Sequence, residues 1–537
     1  MIPAPLLWAA LLLAAFALPA AAEDRAALMR DHRGGAMRLL AHSAAGTIDP
    51  QVNYTAQYWQ VFCFTHDGLV AFRKAPGPAG LEIVPDLAEA VPTPEEGGLR
   101  WTFRLRRGLR FSDGSPLRPA DVAASFRRLF QVGSPTAETF YGAILGADAC
   151  LRSPADCALP GVTWAGDSIS IQLARPDPEF LTKLALPHAS IVPATAPATD
   201  SGTVPLPGTG PYMVAGYDPN DRLRIVRNPY FREWSAAAQP DGYPDTIDYE
   251  FGLEDEAEVT AVQNGQADWM FDAPPADRLA ELGARYARQV RLNPAFALWF
   301  VPLNTHLPPF DDLRVRQAFN LAVDRSAAVK LYGGKRLAVP VCQALPPGLP
   351  GHVEYCPYPH DPARARALVR ESGTAGQTVT LVTDDSPVAR AIGTYLLDVL
   401  GDMGFVARLR TLSGNVQFTY IQNTENRVQA SLTNWYADYP SASNFLGGIF
   451  GCAAFRPGSD SSPNIAGFCD KQLDQAMQAA LAAGDAAGLA AVDRAITDQA
   501  PAVVLFNPRY IDVVSGRVGG YAYHEAFRWL IHQSWVR

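Results

Sequence analysis

One apolar run, Leu6 to Leu18, stands near the head of a chain whose later residues contain no second stretch of comparable length. This contrast sets the solvent in which everything after the run must fold. Pro19 ends the run, and Ala20, Ala21 and Ala22 separate it from the polar Glu23, Asp24 and Arg25. The pattern is that of a secretory signal peptide with a small-residue cleavage site, too short to span a bilayer as a helix. Residues 1–22 are therefore expected to be removed on export, leaving a mature chain that begins near Glu23. The segment before the run lacks Lys and Arg, a departure from the usual basic start. No cysteine sits just after the cleavage site, so a free periplasmic protein of a Gram-negative cell is expected rather than a lipid-anchored one.

About 515 residues then remain, more than a single hydrophobic core usually serves, so two or three domains are expected. Apolar residues make up 48% and charged residues 18%, the balance of a soluble globular protein. A net charge of -9 argues against nucleic acid as a partner, because such binders need a basic surface to displace counterions. Arg104, Arg106 and Arg107 alternate with apolar residues and read as the solvated face of a strand. Seven cysteines in an exported chain suggest three disulfides and one thiol left over. Pairing of sequence neighbours would join Cys150 with Cys157, Cys342 with Cys356, and Cys452 with Cys469, leaving Cys63 free and buried; sequence alone leaves the connectivity open. A metal site at His352, Cys356 and His360 is disfavoured, since Pro357 and Pro359 deny the cluster a helical face and an oxidised Cys356 could not ligate. No metal or cofactor is expected.

The local patterns are explicit. Met37 to Leu40 reads as a short strand, and Trp101 to Leu105 alternates as a half-buried strand does. Pro119 opens a helix whose Val122, Phe126, Leu129 and Phe130 share one face. A hairpin is expected near 212–217 and 222–227. Gly208, Gly210 and Pro211 before it could suggest a phosphate loop, but no Gly-Lys-Ser/Thr follows and a strand, not a helix, comes next. Asp311 to Lys330 reads as one helix ending at Gly333 and Gly334. Asp361 caps another with Pro362 at its first position and Gly373 beyond its end. A strand near 378–382, a helix near 387–403 and a strand near 405–410 form a βαβ-like unit, so the second half contains an α/β lobe. Gln472 to Asp498 reads as two helices, and Val503 to Val514 as a β-rich tail.

Four blocks together carry a resemblance. They are Trp101 to Leu117 with Asp121 and Val122; Gly208 to Tyr212 with Arg227 to Tyr230; Leu303 to Thr305 with Pro308 to Ala318 and Val323 to Arg325; and Trp435 to Pro440 with Asn444 to Leu446. In order and spacing they resemble the dipeptide- and oligopeptide-binding proteins of ABC importers, the family 5 extracellular solute-binding proteins. The resemblance implies an α/β fold of the periplasmic binding protein type II kind, two lobes with a hinge plus an inserted third domain. It places lobe I at 23–65, 191–290 and 501–537, domain II at 66–190, lobe III at 291–500, and the hinge strands near 291–304 and 500–507. Such a device captures a solute because ligand favours the closed state, which an inner-membrane ABC permease can then read.

The resemblance also implies a site. Asp438 of the W-x-x-D block would pair with a ligand's α-amino group, a charge costly to leave unanswered in a closed cleft. Trp435, Tyr436, Trp299 and Phe300 would supply flat apolar surface. Asn53, Tyr54 and Thr55 fall where the family's backbone pairs with extended peptides, a contact indifferent to side-chain identity. Arg118 departs from the family's hydroxyl helix cap, and no arginine at 416 or 432 stands ready to receive a short ligand's carboxylate. Within the family's range, the alternative solutes are nickel chelates, haem, opines and peptide-derived metallophores, and a periplasmic chaperone or sensor would share the fold. An enzyme is not expected. G-x-S-x-G, H-E-x-x-H and C-x-x-C are all missing, and His524-Glu525 lacks a second histidine at zinc spacing. The expected partners are thus a peptide or peptide-like molecule and a permease, with the protein itself a monomer.

Overall fold

The pattern at Met37 to Leu40 becomes the strand Ala36–Ala41, and its neighbours show how a chain entering here comes to be buried. In the computed structural model, which describes residues 17–537, this strand lies inside a five-stranded sheet in the order Trp269–Met270, Ala36–Ala41, Thr246–Phe251, Arg222–Arg227, Tyr212–Asp218. Its two immediate partners run parallel to it, and the hairpin expected at 212–227 extends the sheet antiparallel. Of the expected signal peptide, residues 1–16 lie outside the described residues, and 17–22 begin the helix Ala17–His32. Among the described residues no helix is long and apolar enough to cross a membrane.

Inserted between the first strand and the hairpin is a smaller unit built on Arg100–Arg104, Ser168–Gln172 and Val162–Ala165, all antiparallel, beside the helix Pro119–Gln131. Arg118 precedes that helix without a hydroxyl, and the Asp121 carboxylate instead accepts the Arg118 N–H at 2.7 Å. Phe103, Phe126, Ile169 and Ile171 of this unit share one continuous apolar core with Met37, Tyr58, Phe62 and Tyr249 of the first lobe. The insertion is therefore packed against that lobe without a break in the apolar core.

The second lobe contains the βαβ unit: Thr378–Asp384 and Val406–Leu412 pair in parallel across the helix Pro387–Asp402. Asp361 caps Pro362–Ser372, its carboxylate accepting the Arg364 N–H at 2.9 Å, and Gly373 ends that helix at φ 75°. The single helix read over Asp311 to Lys330 is in fact two, Leu313–Ala322 and Arg325–Tyr332. The break comes where Asp324 caps the second helix by accepting the Ser326 N–H at 2.8 Å. The buried Arg325 side chain then reaches back to the Asn320 amide oxygen at 2.9 Å and across to the Val504 carbonyl at 2.7 Å. Cys150–Cys157, Cys342–Cys356 and Cys452–Cys469 are disulfides, and Cys63 is a buried free thiol. With its sulfur bonded to Cys342, Cys356 is no metal ligand.

Two chain segments cross between the lobes. The long strand Ala502–Val513 pairs through its last residues with Val290–Pro294, and through its first with Ala297–Pro302. Between those two partners, at Ala295 and Phe296, the chain passes from one end of that long strand to the other. Asn507 holds the changeover, its amide donating to the Ala295 and Ala297 carbonyls at 2.7 and 2.8 Å. The fold is thus mixed α/β, with two lobes and an extra domain.

Candidate functional site

A cleft of about 230 Å³ opens beside this crossing, with walls from both lobes. One wall begins at the turn before the helix Ala56–Thr65. Asn53 builds that turn. Its side-chain Oδ1 accepts from the Thr55 N–H and hydroxyl at 3.0 and 2.7 Å, while its Nδ2 donates to the Ala45 and Thr47 carbonyls at 2.7 and 2.8 Å. Fixed this way, the turn presents Tyr54 at its tip, with the ring tilted against Trp59 and His188 at centroid distances of 5.5 and 5.4 Å. Burial lowers the His188 pKa to about 3, so that ring stays neutral.

The facing wall grows from the strand Thr433–Tyr436, which pairs with Ala297–Pro302 at the lobe crossing. Past its end, one side-chain amide organises the rim. The Asn444 oxygen accepts from Trp435 Nε1 at 2.9 Å and from the Asp438 N–H at 3.1 Å, and the Asn444 nitrogen donates to Asp438 Oδ2 at 2.9 Å. The spacing from Trp435 through Asp438 to Asn444 therefore has a local cause: a single amide ties all three. The other oxygen of Asp438 accepts the Tyr54 hydroxyl from the opposite lobe. Among the described residues Asp438 makes no salt bridge, and burial raises its pKa against the pull of the Asn444 and Tyr54 hydrogen bonds. Further along, the Ser441 and Ser443 hydroxyls donate to Glu179 of the inserted domain, Ser443 at 2.5 Å, and Tyr439 meets Phe140 edge-on at 5.5 Å.

A third element closes the cleft from the first lobe, the hairpin of Tyr523–His524 and Arg528–Trp529. His524 Nδ1 accepts from the Ala526 and Phe527 N–H groups at 3.0 and 3.3 Å, which fixes the three-residue tip. Arg528 leaves that tip at φ 64°, a left-handed conformation that a residue other than glycine adopts only at a cost. Its guanidinium is paired with the buried Asp512 at 3.0 Å and lies over the rings of Phe271 and Tyr510, both at 4.9 Å.

Of the residues named from sequence, the structure brings Tyr54, Thr55, Tyr436 and Asp438 together on the cleft lining. It places the others elsewhere. Asn53 is buried beneath the turn it builds, Trp435 holds Asn444, Trp299 stacks on Phe506 at 5.7 Å, and Phe300 packs against Phe450. Trp59, Phe296, Tyr439, Tyr510, Tyr523, Glu525, Phe527 and Arg528 line the cleft without having been anticipated. The available signal was the alternation of Tyr521, Tyr523, Phe527 and Trp529 near the C-terminus, where His524-Glu525 is tested only as a zinc motif.

Comparison with known proteins adds an independent line. The chain is similar to the glutathione-binding protein GsiB of Salmonella choleraesuis, 26% identical over 405 residues that cover 73% of this chain and 74% of that protein. It is likewise 26% identical over 480 residues to the di/tripeptide-binding protein 2 of Pseudomonas aeruginosa, covering 85% and 86%. In three dimensions it superposes on the clavulanic acid biosynthesis oligopeptide binding protein 2 with a TM-score of 0.85 and 24% identity, over 94% of this chain and 96% of the other. A family model described as bacterial extracellular solute-binding proteins, family 5, middle region, matches residues 82–456, and the chain therefore belongs to that family.

Proposed function

We propose that this protein is the solute-binding component of an ABC importer, which takes up a peptide or peptide-like solute between its lobes and hands it unaltered to an inner-membrane permease. The observation that carries the reading is Asp438. A carboxylate set in an aromatic-lined cleft between two lobes, held in place by Asn444 and Tyr54 but without a cation of its own, suits an incoming ammonium group. Every peptide with a free N-terminus supplies one. The relatives named for binding glutathione and di- and tripeptides support the same ligand class.

On this reading the protein works outside the inner membrane as a monomer, with lobe I at 23–65, 191–290 and 501–537, domain II at 66–190 and lobe III at 291–500. The crossing strands act as the hinge, so binding is read out as a shift toward closure. Calorimetric titration of the purified protein with Ala-Ala-Ala and its N-acetyl derivative tests the assignment. The free amine is expected to bind at least about tenfold tighter. Equal affinities would remove the amine anchor, and hydrolysed peptide after incubation would remove the binding-only role.

A further inference from the structure

Three charged side chains reach the cleft lining, Asp438, Glu525 and Arg528, and they are not equivalent. The Arg528 charge has a counter-ion within the fold, although its buried Nε–H has no acceptor among the described residues. Asp512, itself fully buried, sits 3.0 Å from its guanidinium, and the Phe271 carbonyl accepts a further N–H at 3.1 Å. The charges left facing the cleft without a counter-ion are therefore both negative, one on each lobe.

Glu525 stands at the tip of the hairpin whose turn His524 fixes through two backbone N–H groups, so its backbone is held toward the cleft. Its Oε2 is buried and has no donor among the described residues, and burial raises its pKa. A carboxyl oxygen left in that condition costs free energy unless something else supplies the partner. The same cleft is lined by the rings of Tyr436 and Tyr523, whose faces attract cations and carry none among the described residues; Phe527, Tyr510 and Tyr439 already lie under Lys74, Arg528 and Lys183. A ligand anion would meet two carboxylates here, and a neutral side chain would leave Glu525 unanswered.

We infer that the solute carries a second cationic group, an ammonium or guanidinium besides its α-amino group, and that Glu525 receives it. This rests on the reading in which Asp438 takes the α-amine, and the two are separable by experiment. The full chain is titrated with Ala-Nle-Ala and with peptides of the same length in which lysine occupies each position in turn, lysine and norleucine having similar length and differing in charge. At least one lysine peptide is expected to bind about tenfold tighter than the norleucine peptide. Glu525→Gln is expected to abolish most of that difference.

Equal binding of norleucine and all lysine peptides would overturn the inference, and so would a lysine preference that survives in the variant. If the variant does not fold, the wild-type comparison alone decides. N-acetylation of the lysine peptides isolates the other reading. Should acetylation cost nothing while the lysine preference persists, the Asp438 assignment falls and Glu525 stands; the reverse pattern removes Glu525 alone. If no peptide binds, agmatine, which carries an ammonium and a guanidinium with no peptide bond, replaces the series. Agmatine binding lost in Glu525→Gln then retains the inference, and no agmatine binding overturns it.

Discussion

Asp49 and Asp438 lie at opposite ends of one short path through the molecule, and they show two ways a protein can keep a carboxylate away from water. Asp49 precedes the turn that carries Tyr54, is fully buried, and is met by a buried arginine. Arg128 forks onto both its oxygens at 3.1 and 2.5 Å, and turns its remaining N–H groups to Gln51, Pro197 and Thr199. All five donors of the guanidinium are thus satisfied within the fold. Asp438, across the cleft, has hydrogen bonds but no cation. The first arrangement is complete, so it joins the inserted domain to the first lobe and sets the turn; the second leaves a carboxylate without a counter-ion, which the proposed amine-binding role would use.

The largest effect expected from breaking this contrast is on stability. Arg128→Ala strands Asp49 in the interior and is expected to cost about 3–5 kcal/mol in chemical denaturation, the usual penalty for removing one member of a buried pair. A loss below about 1 kcal/mol would mean that the joint is not structural at all. Glu258 provides a third case and an effect of opposite sign. It is fully buried on the helix Asp255–Gln263, neither of its oxygens has a donor among the described residues, and burial pushes its pKa up to about 8. Because the folded value lies above the unfolded one of about 4.3, its contribution to stability is complete at low pH and is lost as pH rises from there toward 8. Glu258→Gln removes that slope. The variant is expected to be more stable than wild type at pH 7.5, by at most about 4 kcal/mol, and the difference should vanish near pH 4.

The third effect falls on binding. Asp438→Asn keeps the shape and its hydrogen bonds to Asn444 but removes the charge, so affinity for an unblocked peptide is expected to fall about 10- to 100-fold while stability changes by less than about 1 kcal/mol. An affinity loss accompanied by an Arg128-sized loss of stability would erase the distinction between the two carboxylates.

Much of this scaffold was legible because its signals are local. Asp361 with Pro362 and Gly373, or the alternation in Trp101 to Leu105, specify an element from within a few residues. The site was legible only in part, because its geometry depends on what covers each face. Trp299 and Phe300 belong to the strand Ala297–Pro302, every residue of which is buried. Their side chains point to opposite sides and enter two separate apolar clusters, one around Val301 and Phe319, the other around Leu298 and Phe445. A strand covered on both faces leaves nothing for the cleft, so Phe296, one residue before the strand begins, lines it instead. Similarly, the helix read over Asp311 to Lys330 carries sound periodicity, but Asp324 competes for its own local N–H and breaks it. The hairpin at 523–529 was missed for another reason. It joins the site only through folding across more than 400 residues of sequence from Tyr54, which no local pattern encodes.

The smallest effect expected is the one that most directly separates a cleft carboxylate from a paired one. Burial raises the Asp438 pKa, so its protonation sets in above the ordinary carboxylate range. Only the ionised form pairs with an ammonium, so affinity should decline on acidification sooner than it would for an ordinary aspartate, by at most about tenfold per pH unit for a single proton. In Asp438→Asn the same titration should be flat. Calorimetry at pH 7, 6 and 5 with Ala-Ala-Ala, whose own amine stays protonated throughout, is compared between wild type and variant to separate Asp438 from the other cleft carboxylate. A decline of equal size in both proteins would assign the proton to another residue, with Glu525 on the facing hairpin the next to substitute.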